Sequence, residues 1–359
     1  MYISLEGISK RYAAVTAVDE VDIAIGKTEF VSLLGPSGSG KTTLLRIIAG
    51  LERPTTGRVL IDGVDVTDLP PHKRGIAMVF QEFLLFPHRT VRENLAFPLR
   101  MQQLSKEEIA SRVAWAAGIL SLEGLEDRYP NQLSGGQQQR VALGRGLVAH
   151  PKVLLLDEPL ANLDRELRQE MEVEIRRYQM QLGIPFIYVT HNQEEAMSMS
   201  DRIAVVSKGR IEDFAERSEV YDHPKTAFIA QFVGRSSHFN GTVSAVSSEG
   251  ASVDISGVKL HVSRNANLKA GQRVVVFVKN EKVQLEARTD TARANSIDCR
   301  IKDIILRGAY AEYILDAPAL GAELVATRPR SETVFTAGQE VRAFWSGDAP
   351  DIFPADKAA

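Results

Sequence analysis

Cysteine is almost absent from the sequence: the one residue of this type, Cys299, cannot form a disulfide within the chain. It lies in an alternating, strand-like stretch, which favours a buried core thiol over a reactive one. Long apolar runs are also missing, since no stretch approaches the roughly eighteen apolar residues of a membrane-spanning helix. The N-terminus has no charged segment followed by an apolar leader, so we expect a cytoplasmic protein.

An excess of charge of one sign is missing as well. The formal net charge is -3, which gives no electrostatic footprint for nucleic acid, and none of the clusters of lysine and arginine is long. We therefore expect no nucleic-acid partner. The chain of 359 residues is long enough for two domains, each with a core of its own.

The first part of the chain, up to about residue 234, alternates short apolar runs with longer helical patterns. The runs EFVSLL, VLLLD and FIYVT are nearly continuous in apolar residues, as is typical of buried parallel strands. After Asp164, apolar side chains recur as on one face of an amphipathic helix, at Leu167, Met171, Ile175, Tyr178 and Leu182. A strand, a helix and a strand in this order predict an α/β domain over residues 1–234.

Residues 235–359 differ, because helical periodicity is nearly absent from them. ASVDISGVKLHVS predicts two short strands about a turn, QRVVVFVKNEKVQLEA predicts a second pair about residues 279–282, and SIDCRIKDIILRGAYAEYILD predicts further strands. The pattern predicts a small all-β domain, an OB-like barrel. Between the two domains, the stretch around His223 and Pro224 predicts a connecting helix.

A glycine-rich bend lies between a predicted strand and a predicted helix. Gly35, Gly40, Lys41 and Thr42 fit the pattern G-x-x-x-x-G-K-[ST]. Glycines let the backbone curl so that successive N–H groups point at one anion, and the positive end of the following helix adds to the attraction. The bend therefore predicts a nucleoside triphosphate site, with the lysine on the β- and γ-phosphates and the threonine hydroxyl on Mg²⁺. The predicted nucleotide-binding residues are Gly35, Pro36, Ser37, Gly38, Ser39, Gly40, Lys41, Thr42 and Thr43.

Two adjacent acids, Asp157 and Glu158, follow the apolar run of residues 153–156. At the carboxyl end of a buried strand, two acids would be costly unless opposite charge met them. Asp157 is suited to hold Mg²⁺, directly or through water, and Glu158 to accept a proton from the attacking water. A solvated strand end is the alternative, and the phosphate loop favours the catalytic interpretation.

Residues 132–140 read QLSGGQQQR, which resembles the signature of the ATP-binding cassette (ABC) family. The other motifs of that family stand in their expected places: an aromatic residue in RYAAVTAV, a Q-loop in VFQEFLLFP, a D-loop in LANLD and a switch histidine in VTHNQEEAM. The resemblance covers nearly all of the first domain. It implies a P-loop ATPase core with a mixed sheet and a helical subdomain at about residues 88–150.

The resemblance implies roles for individual residues. Tyr12 would stack on adenine, Gln81 would sense Mg²⁺ and the attacking water, and His191 would bind the γ-phosphate and fix that water beside Glu158. The signature would contact the γ-phosphate bound to another copy, so that two chains enclose two ATP molecules as a homodimer. Further residues assigned to the nucleotide site are Ser134, Gly135, Gly136, Gln137 and Asp164.

Several kinds of ABC protein share these motifs. Exporters mostly fuse the cassette to membrane spans, and soluble ATPases that act on nucleic acid or ribosomes usually carry two cassettes per chain. The all-β domain resembles the TOBE-type regulatory domain of importer ATPases, which favours an ATPase that powers a separate permease. A soluble cassette ATPase and a regulatory module that ATP merely switches are the alternatives, and Glu158 argues against the module because a switch without hydrolysis needs no base.

The importer interpretation implies partners and a location. The apolar segment EFLLFPHRTVRENLAF matches the part of importer ATPases that receives a coupling helix of the permease. A solute-binding protein outside the membrane would be an indirect partner, and the chain would lie on the cytoplasmic face of the inner membrane. ENLAFPLRMQ, MSMSDRI and FVGRSSHFNGTV look most like the polyamine (spermidine/putrescine) branch, with iron(III), sugars and other solutes as alternatives.

Overall fold

A computed structural model describes residues 1–248, 250–263, 268–288, 293–332 and 335–355 of the protein. The chain divides into two compact units, Met1–Arg217 and Ser218–Ala359. The boundary predicted from the sequence, after residue 234, stays a prediction. None of the helices within the described ranges is both long enough and apolar enough to span a membrane.

The first unit is built from strands and helices that alternate along the chain. Its strands are β1 (Ile3–Tyr12), β2 (Val15–Ile25), β3 (Phe30–Leu34), β4 (Thr56–Ile61), β5 (Val64–Asp65), β6 (Ile76–Val79), β7 (Val153–Asp157), β8 (Phe186–Thr190), β9 (Arg202–Ser207) and β10 (Arg210–Glu216). Its helices are α1 (Lys41–Ala49), α2 (Val91–Met101), α3 (Lys106–Ile119), α4 (Gly135–Leu147), α5 (Arg165–Leu182) and α6 (Gln193–Met199).

A six-stranded sheet forms the centre of this unit, in the order β10-β9-β3-β8-β7-β6. The pairs within β9-β3-β8-β7-β6 are parallel, and β10 is antiparallel to β9. Every residue of β3, β7 and β8 is buried, which explains why these strands are apolar throughout. The three strands predicted from the apolar runs are thus confirmed, and their carboxyl ends lie at one edge of the sheet.

Both faces of the six-stranded sheet are covered. Successive side chains of a strand point to opposite faces of the sheet. On one face, Leu154 and Leu156 of β7 pack against the helices α2 to α5. On the other face, Val153 and Leu155 pack against α1 and a four-stranded sheet in the order β2-β1-β4-β5. Among the predicted face residues of α5, Met171, Ile175 and Tyr178 are buried, as the periodicity indicated.

The helices α2, α3 and α4 occupy the region predicted as a helical subdomain. Each begins with a hydroxyl side chain that accepts a hydrogen bond from a backbone N–H of its first turn: Thr90 in α2, Ser105 in α3 and Ser134 in α4. In all three, the residue three positions further on completes a capping box. The sequence therefore determines where these helices start.

The second unit begins with two short helices, which continue into strands. Its elements, with the first residue of α7 closing the first unit, are α7 (Arg217–Asp222), α8 (Ala227–Phe232), β11 (Ser236–Ser247), β12 (Gly250–Ile255), β13 (Val258–Val262), β14 (Arg273–Lys279), β15 (Gln284–Ala287), β16 (Ser296–Leu306), β17 (Tyr310–Ala317), β18 (Ala322–Pro329), β19 (Glu340–Phe344) and β20 (Pro350–Pro354). Where the sequence predicted one connecting helix, α7 and α8 lie on either side of His223 and Pro224. The proline separates them because it has no backbone N–H for a helical hydrogen bond.

Two five-stranded antiparallel sheets, β13-β12-β11-β14-β20 and β15-β19-β16-β17-β18, enclose one core in the described part of this unit. The all-β prediction is confirmed, with β12 and β13 paired as expected. The strands β14 and β15 do not pair with each other, because the turn Asn280–Lys282 takes the chain from one sheet to the other. Cys299 is buried in this core, and burial raises the pKa of its thiol to about 12, as fits a structural residue.

Candidate functional site

Four of the predicted motifs follow neighbouring parallel strands of the six-stranded sheet. The glycine-rich bend follows β3, Glu158 follows β7, His191 follows β8, and Gln81 lies two residues beyond β6. Since these strands are parallel and adjacent, their carboxyl ends form one edge, where ligands of open α/β sheets bind. The fold thus brings residues that are far apart in the sequence to the same edge.

The backbone of the glycine-rich bend tolerates no side chain at two of its positions. A Cβ atom on Gly35 would lie 2.1 Å from the carbonyl oxygen of Val206, and one on Gly40 would lie 2.3 Å from that of Ala17. Gly40 also has a φ of 105°, in the left-handed region, where it precedes α1. The fold therefore requires glycine at these two positions, and the absence of side chains also lets a ligand approach the backbone closely.

Lys41 is buried in this bend and is 5% exposed. Its Nζ atom donates hydrogen bonds of 2.9 Å to the carbonyl oxygens of Gly35 and Pro36. Burial lowers the pKa of Lys41, and the negative charges of Glu158 and Asp157 oppose that shift. The bend therefore holds a cation at its centre, where phosphate oxygens would meet it.

A cavity of about 230 Å³ opens beside the bend. Its lining residues are Ala17, Ser37, Gly38, Ser39, Gly40, Lys41, Thr42, Thr43 and Glu158. The Oγ atom of Ser39 is buried and has no hydrogen-bond partner in the described part of the chain. An unpaired buried hydroxyl is costly and calls for a ligand. Together with the first N–H groups of α1, it fits the oxygen atoms of a phosphate group.

Thr42 and Asp157 form a pair of oxygen atoms suited to a hard cation. The Thr42 hydroxyl donates to Oδ1 of Asp157 at 3.2 Å, and burial raises the pKa of Asp157. Within the described residues, no group of three or more histidine, cysteine, aspartate or glutamate side chains is placed to hold a metal ion. The pair fits Mg²⁺, which typically takes one or two carboxylates and completes its shell with substrate phosphates and water.

Glu158 and His191 face each other across the ends of β7 and β8. Nδ1 of His191 lies 3.2 Å from Oε2 of Glu158, and the backbone N–H of Glu158 donates to the carbonyl oxygen of Val189 at 3.1 Å. Glu158 has a φ of 45°, which is uncommon for a residue other than glycine. Such backbone strain persists where the surroundings hold it, and here it aims the carboxylate at both His191 and the cavity.

Gln81 and Tyr12 lie at the periphery of this arrangement. Gln81 is exposed and absent from the residues that line the cavity, and its carbonyl oxygen accepts a hydrogen bond of 3.1 Å from Nδ2 of Asn162. The ring of Tyr12 is 44% exposed at the end of β1, with Nζ of Lys10 4.9 Å from its centroid. Its exposed ring is available for stacking on a base.

The signature residues lie together, but they do not line the cavity of the bend. Ser134 caps α4, accepting from the N–H of Gln137 at 3.3 Å. Gly136 leaves room for Leu167, because a Cβ there would lie 2.7 Å from its Cδ1 atom. Asp164 caps α5 by accepting from the N–H of Leu167 at 3.0 Å. A Cβ on Gly135 would lie 3.2 Å from Cδ2 of Leu163, so in one chain the signature lies beside the D-loop and α5 and does not line the cavity of the phosphate loop.

Two residues beside Glu158 and His191 were not predicted from the sequence. Arg168 and Glu195 line a second cavity, of about 70 Å³, together with Glu158 and His191. The predicted α5 face omitted Arg168, and within VTHNQEEAM, which contains Glu195, only His191 was assigned a role. Tyr188, within the predicted strand FIYVT, is buried and donates a hydrogen bond to Glu195.

A mostly parallel sheet, a phosphate loop after β3 and two acids at the carboxyl end of β7 define a P-loop nucleoside triphosphatase. The ABC transporter family profile matches residues 18–161, and the TOBE domain profile matches residues 276–350. The spermidine/putrescine import ATP-binding protein PotA of Rubrobacter xylanophilus is 44% identical over 348 residues, which cover 96% of this chain and 91% of the relative. PotA of Thermobifida fusca is 45% identical over 315 residues, 87% of this chain and 82% of the relative.

Solved structures of ABC proteins also resemble this chain. The dimeric ATP-binding cassette MJ0796 in a post-hydrolysis state bound to ADP and Pi is 34% identical, with a TM-score of 0.54, and the match covers 60% of this chain and 98% of the cassette. CbiO1 of Clostridium perfringens, part of the ABC transporter complex cbiONQ, is 31% identical, with a TM-score of 0.58 and coverage of 61% and 90%. The chain therefore belongs to the ABC transporter family, and within that family it is an ATPase subunit of the import type.

Proposed function

We propose that this ATPase powers the uptake of polyamines through a separate membrane permease. The observation that carries the proposal is the convergence of Lys41, Thr42, Asp157, Glu158 and His191 at the ends of adjacent strands, in a chain whose relatives are spermidine/putrescine import proteins. ATP is the substrate of the site, and Mg²⁺ is its metal cofactor.

Nucleotide binding follows from the charges and donors of the phosphate loop. The loop amides, the Ser39 hydroxyl and Lys41 bind the β- and γ-phosphates, and Tyr12 stacks on the adenine ring. Thr42 and Asp157 would hold Mg²⁺, with Gln81 as a further ligand. Bound Mg²⁺ neutralises charge on the phosphate oxygens.

Hydrolysis requires a base and a group that positions the attacking water. Glu158 lines the cavity and accepts a proton from that water. His191, 3.2 Å from this carboxylate, holds the water and the γ-phosphate in line with it. The pair thus supplies both the proton acceptor and the alignment of the reaction.

Two copies of the chain are required for a complete site. Ser134, Gly135, Gly136 and Gln137 begin α4 and lie outside the cavity of their own phosphate loop, so we assign them to the γ-phosphate bound by a second copy. Asp164 lies at the start of α5 and contributes to the same interface. ATP then closes the homodimer, and its hydrolysis allows the dimer to open.

The permease is proposed to bind in a groove of the first unit. A cavity of about 420 Å³ lies between β6, the segment after Gln81, α2 and α4, with Phe83, Phe86 and Phe97 in its lining. The guanidinium of Arg145 also lines it and stacks on Phe86 at 5.5 Å. An open apolar groove of this size suits a short helix of a partner. Binding there places the ATPase at the cytoplasmic face of the inner membrane.

The solute is tested with the complete transporter. The chain is reconstituted in proteoliposomes with the permease and solute-binding protein encoded beside it, and ATP hydrolysis and uptake of labelled spermidine are measured. We expect spermidine-dependent uptake that disappears with Glu158→Gln. Uptake of a sugar or iron(III) with none of spermidine would refute the polyamine assignment, and purification with RNA but no membrane subunit would refute the importer.

A further inference from the structure

Glu195 is a buried carboxylate that has no role in the proposed binding and hydrolysis of ATP. Its side chain is 6% exposed. Oε2 accepts hydrogen bonds from the hydroxyl groups of Tyr188 at 2.8 Å and Thr190 at 2.7 Å, and Oε1 accepts one from Nδ2 of Asn192 at 3.2 Å. Nε of Arg168 lies 3.7 Å from Oε1. We refer to these five residues as the Glu195 cluster.

The cluster holds the two neighbours of His191 in the sequence. Thr190 ends β8 and donates to Glu195, while its Oγ1 atom also accepts from the backbone N–H of Asn192 at 2.9 Å. Asn192 in turn donates to Glu195 from its side chain. His191 therefore lies in a short bend whose two ends are both bonded to one carboxylate.

Arg168 connects the same carboxylate to the D-loop. Its Nη2 atom donates to the carbonyl oxygen of Leu163 at 2.9 Å, and its Nε atom donates to that of Leu160 at 3.4 Å. Because the guanidinium is planar, these contacts and its approach to Glu195 fix its orientation. The backbone of the D-loop and the bend that carries His191 are thus joined through two side chains.

Such a cluster is more than a local helix cap. A buried carboxylate is costly unless several donors satisfy it, and here the donors come from β8, the bend after it and α5. Burial, with the charge of Glu195 beside it, raises the pKa of Tyr188 well above its usual range, so this hydroxyl remains a donor. The cluster also borders the cavity of about 70 Å³ that Glu158 and His191 line.

We propose that Glu195 and Arg168 are positioning residues, which hold His191 against Glu158 and tie it to the D-loop. The proposal rests on the proposed ATPase mechanism and adds to it a physical connection between two motifs. Neither residue touches the nucleotide. Their loss is expected to affect the rate of the chemical step and to leave ATP binding nearly unchanged, since no contact to ATP is removed.

The first test compares two adjacent glutamates of the same helix in the full-length chain. Glu195→Gln keeps the size of the side chain but replaces one acceptor oxygen by an NH₂ group. This NH₂ group would face the donors of the cluster, so the cluster cannot form completely. We expect kcat for ATP hydrolysis to fall roughly 10- to 100-fold, with the KM for ATP changed by less than about twofold. Glu194→Gln, on an exposed side chain, is the matched control and should retain the wild-type kcat.

A second set of variants separates positioning from stability. Arg168→Gln should lower kcat, and Arg168→Lys should recover part of the loss because it retains the charge beside Glu195. Combining Glu195→Gln with Arg168→Gln should cost little more than the larger single loss, because both act through one contact. Thr190→Val removes a single hydroxyl and provides a milder variant, with lowered kcat, should Glu195→Gln fail to fold.

Several results would overturn the proposal while leaving the ATPase assignment intact. A wild-type kcat for Glu195→Gln, beside an inactive Glu158→Gln, would show that the cluster has no part in the reaction. Losses that arise only through KM, that are additive in the double variant, or that track the folded fraction in thermal unfolding would show a purely structural role. A wild-type chain without ATPase activity, alone and in the complete transporter, would instead refute the proposed function itself.

Discussion

The hydroxyl of Thr42 donates a hydrogen bond of 3.2 Å to Oδ1 of Asp157, and so joins the first turn of α1 to the carboxyl end of β7. The two residues belong to different motifs and lie 115 positions apart in the sequence. The contact brings the predicted Mg²⁺ ligands together. It therefore bears on both the stability of the chain and its nucleotide site.

Asp157→Asn is expected to stabilise the nucleotide-free chain. Burial raises the pKa of Asp157 above its ordinary value of 3.8. Between pH 3.8 and the raised pKa, the folded state therefore binds more protons than the unfolded state. The stability that this group contributes therefore falls as pH rises through that window, and the charged form is costly at neutral pH. Asparagine can still accept from Thr42, and we expect a gain of roughly 0.5–1 kcal/mol in the free energy of unfolding.

Chemical denaturation at pH 7 with EDTA measures this gain for Asp157→Asn. At a pH well below 3.8 the difference from wild type should shrink, because the wild-type carboxyl group is then protonated in both the folded and the unfolded state. With MgATP present the order should reverse, since the variant has lost a proposed ligand of the ion. A variant that is less stable than wild type at pH 7 without nucleotide would contradict the assignment.

Glu158→Gln should separate ATP binding from hydrolysis. The amide cannot accept the proton of the attacking water, whereas Lys41 and the loop amides are untouched, so turnover is lost and binding remains. We expect kcat to fall at least about 100-fold and the protein to elute as a dimer with MgATP in size-exclusion chromatography. A monomeric variant that retains full activity would exclude Glu158 as the base.

Lys41→Ala should weaken ATP binding itself. Nζ of Lys41 is the cation at the centre of the phosphate loop, and its removal leaves the phosphate oxygens without that charge. We expect the Kd for ATP, measured by calorimetry, to rise roughly tenfold or more, as a charge-assisted hydrogen bond is lost. Lys106→Ala, on an exposed side chain, is the control, and equal affinities for the two variants would remove Lys41 from the site.

Gly40→Ala should destabilise the chain more than Gly63→Ala. Both glycines have a positive φ, 105° and 75°, which costs alanine about 1–2 kcal/mol. Only at Gly40 would the new Cβ also meet a backbone atom, the carbonyl oxygen of Ala17, at 2.3 Å. Urea denaturation of both variants gives the difference, and a loss at Gly40 no larger than that at Gly63 would show that the loop relaxes freely.

Local patterns predicted much of the architecture. Continuous apolar runs predicted β3, β7 and β8, the spacing of Met171, Ile175 and Tyr178 predicted the buried face of α5, and alternation predicted the strands of the second unit. These elements could be predicted because burial of one or both faces of an element determines the spacing of its apolar residues along the sequence. The strands with which β14 and β15 pair, β20 and β19, could not be predicted, because an alternating pattern does not specify the partner strand.

The sequence by itself determined the motifs that predict the chemistry of this protein: a phosphate loop, two acids at a strand end, a signature and a histidine at the switch position, each recognised from a few neighbouring residues. Only the tertiary structure decided that Glu158 lies 3.2 Å from His191, and that Glu195 joins that histidine's bend to Arg168 and the D-loop. The physical reason is that a motif depends on local backbone geometry, which a few adjacent residues specify. Contacts between distant residues depend on strand order and packing, to which the whole chain contributes.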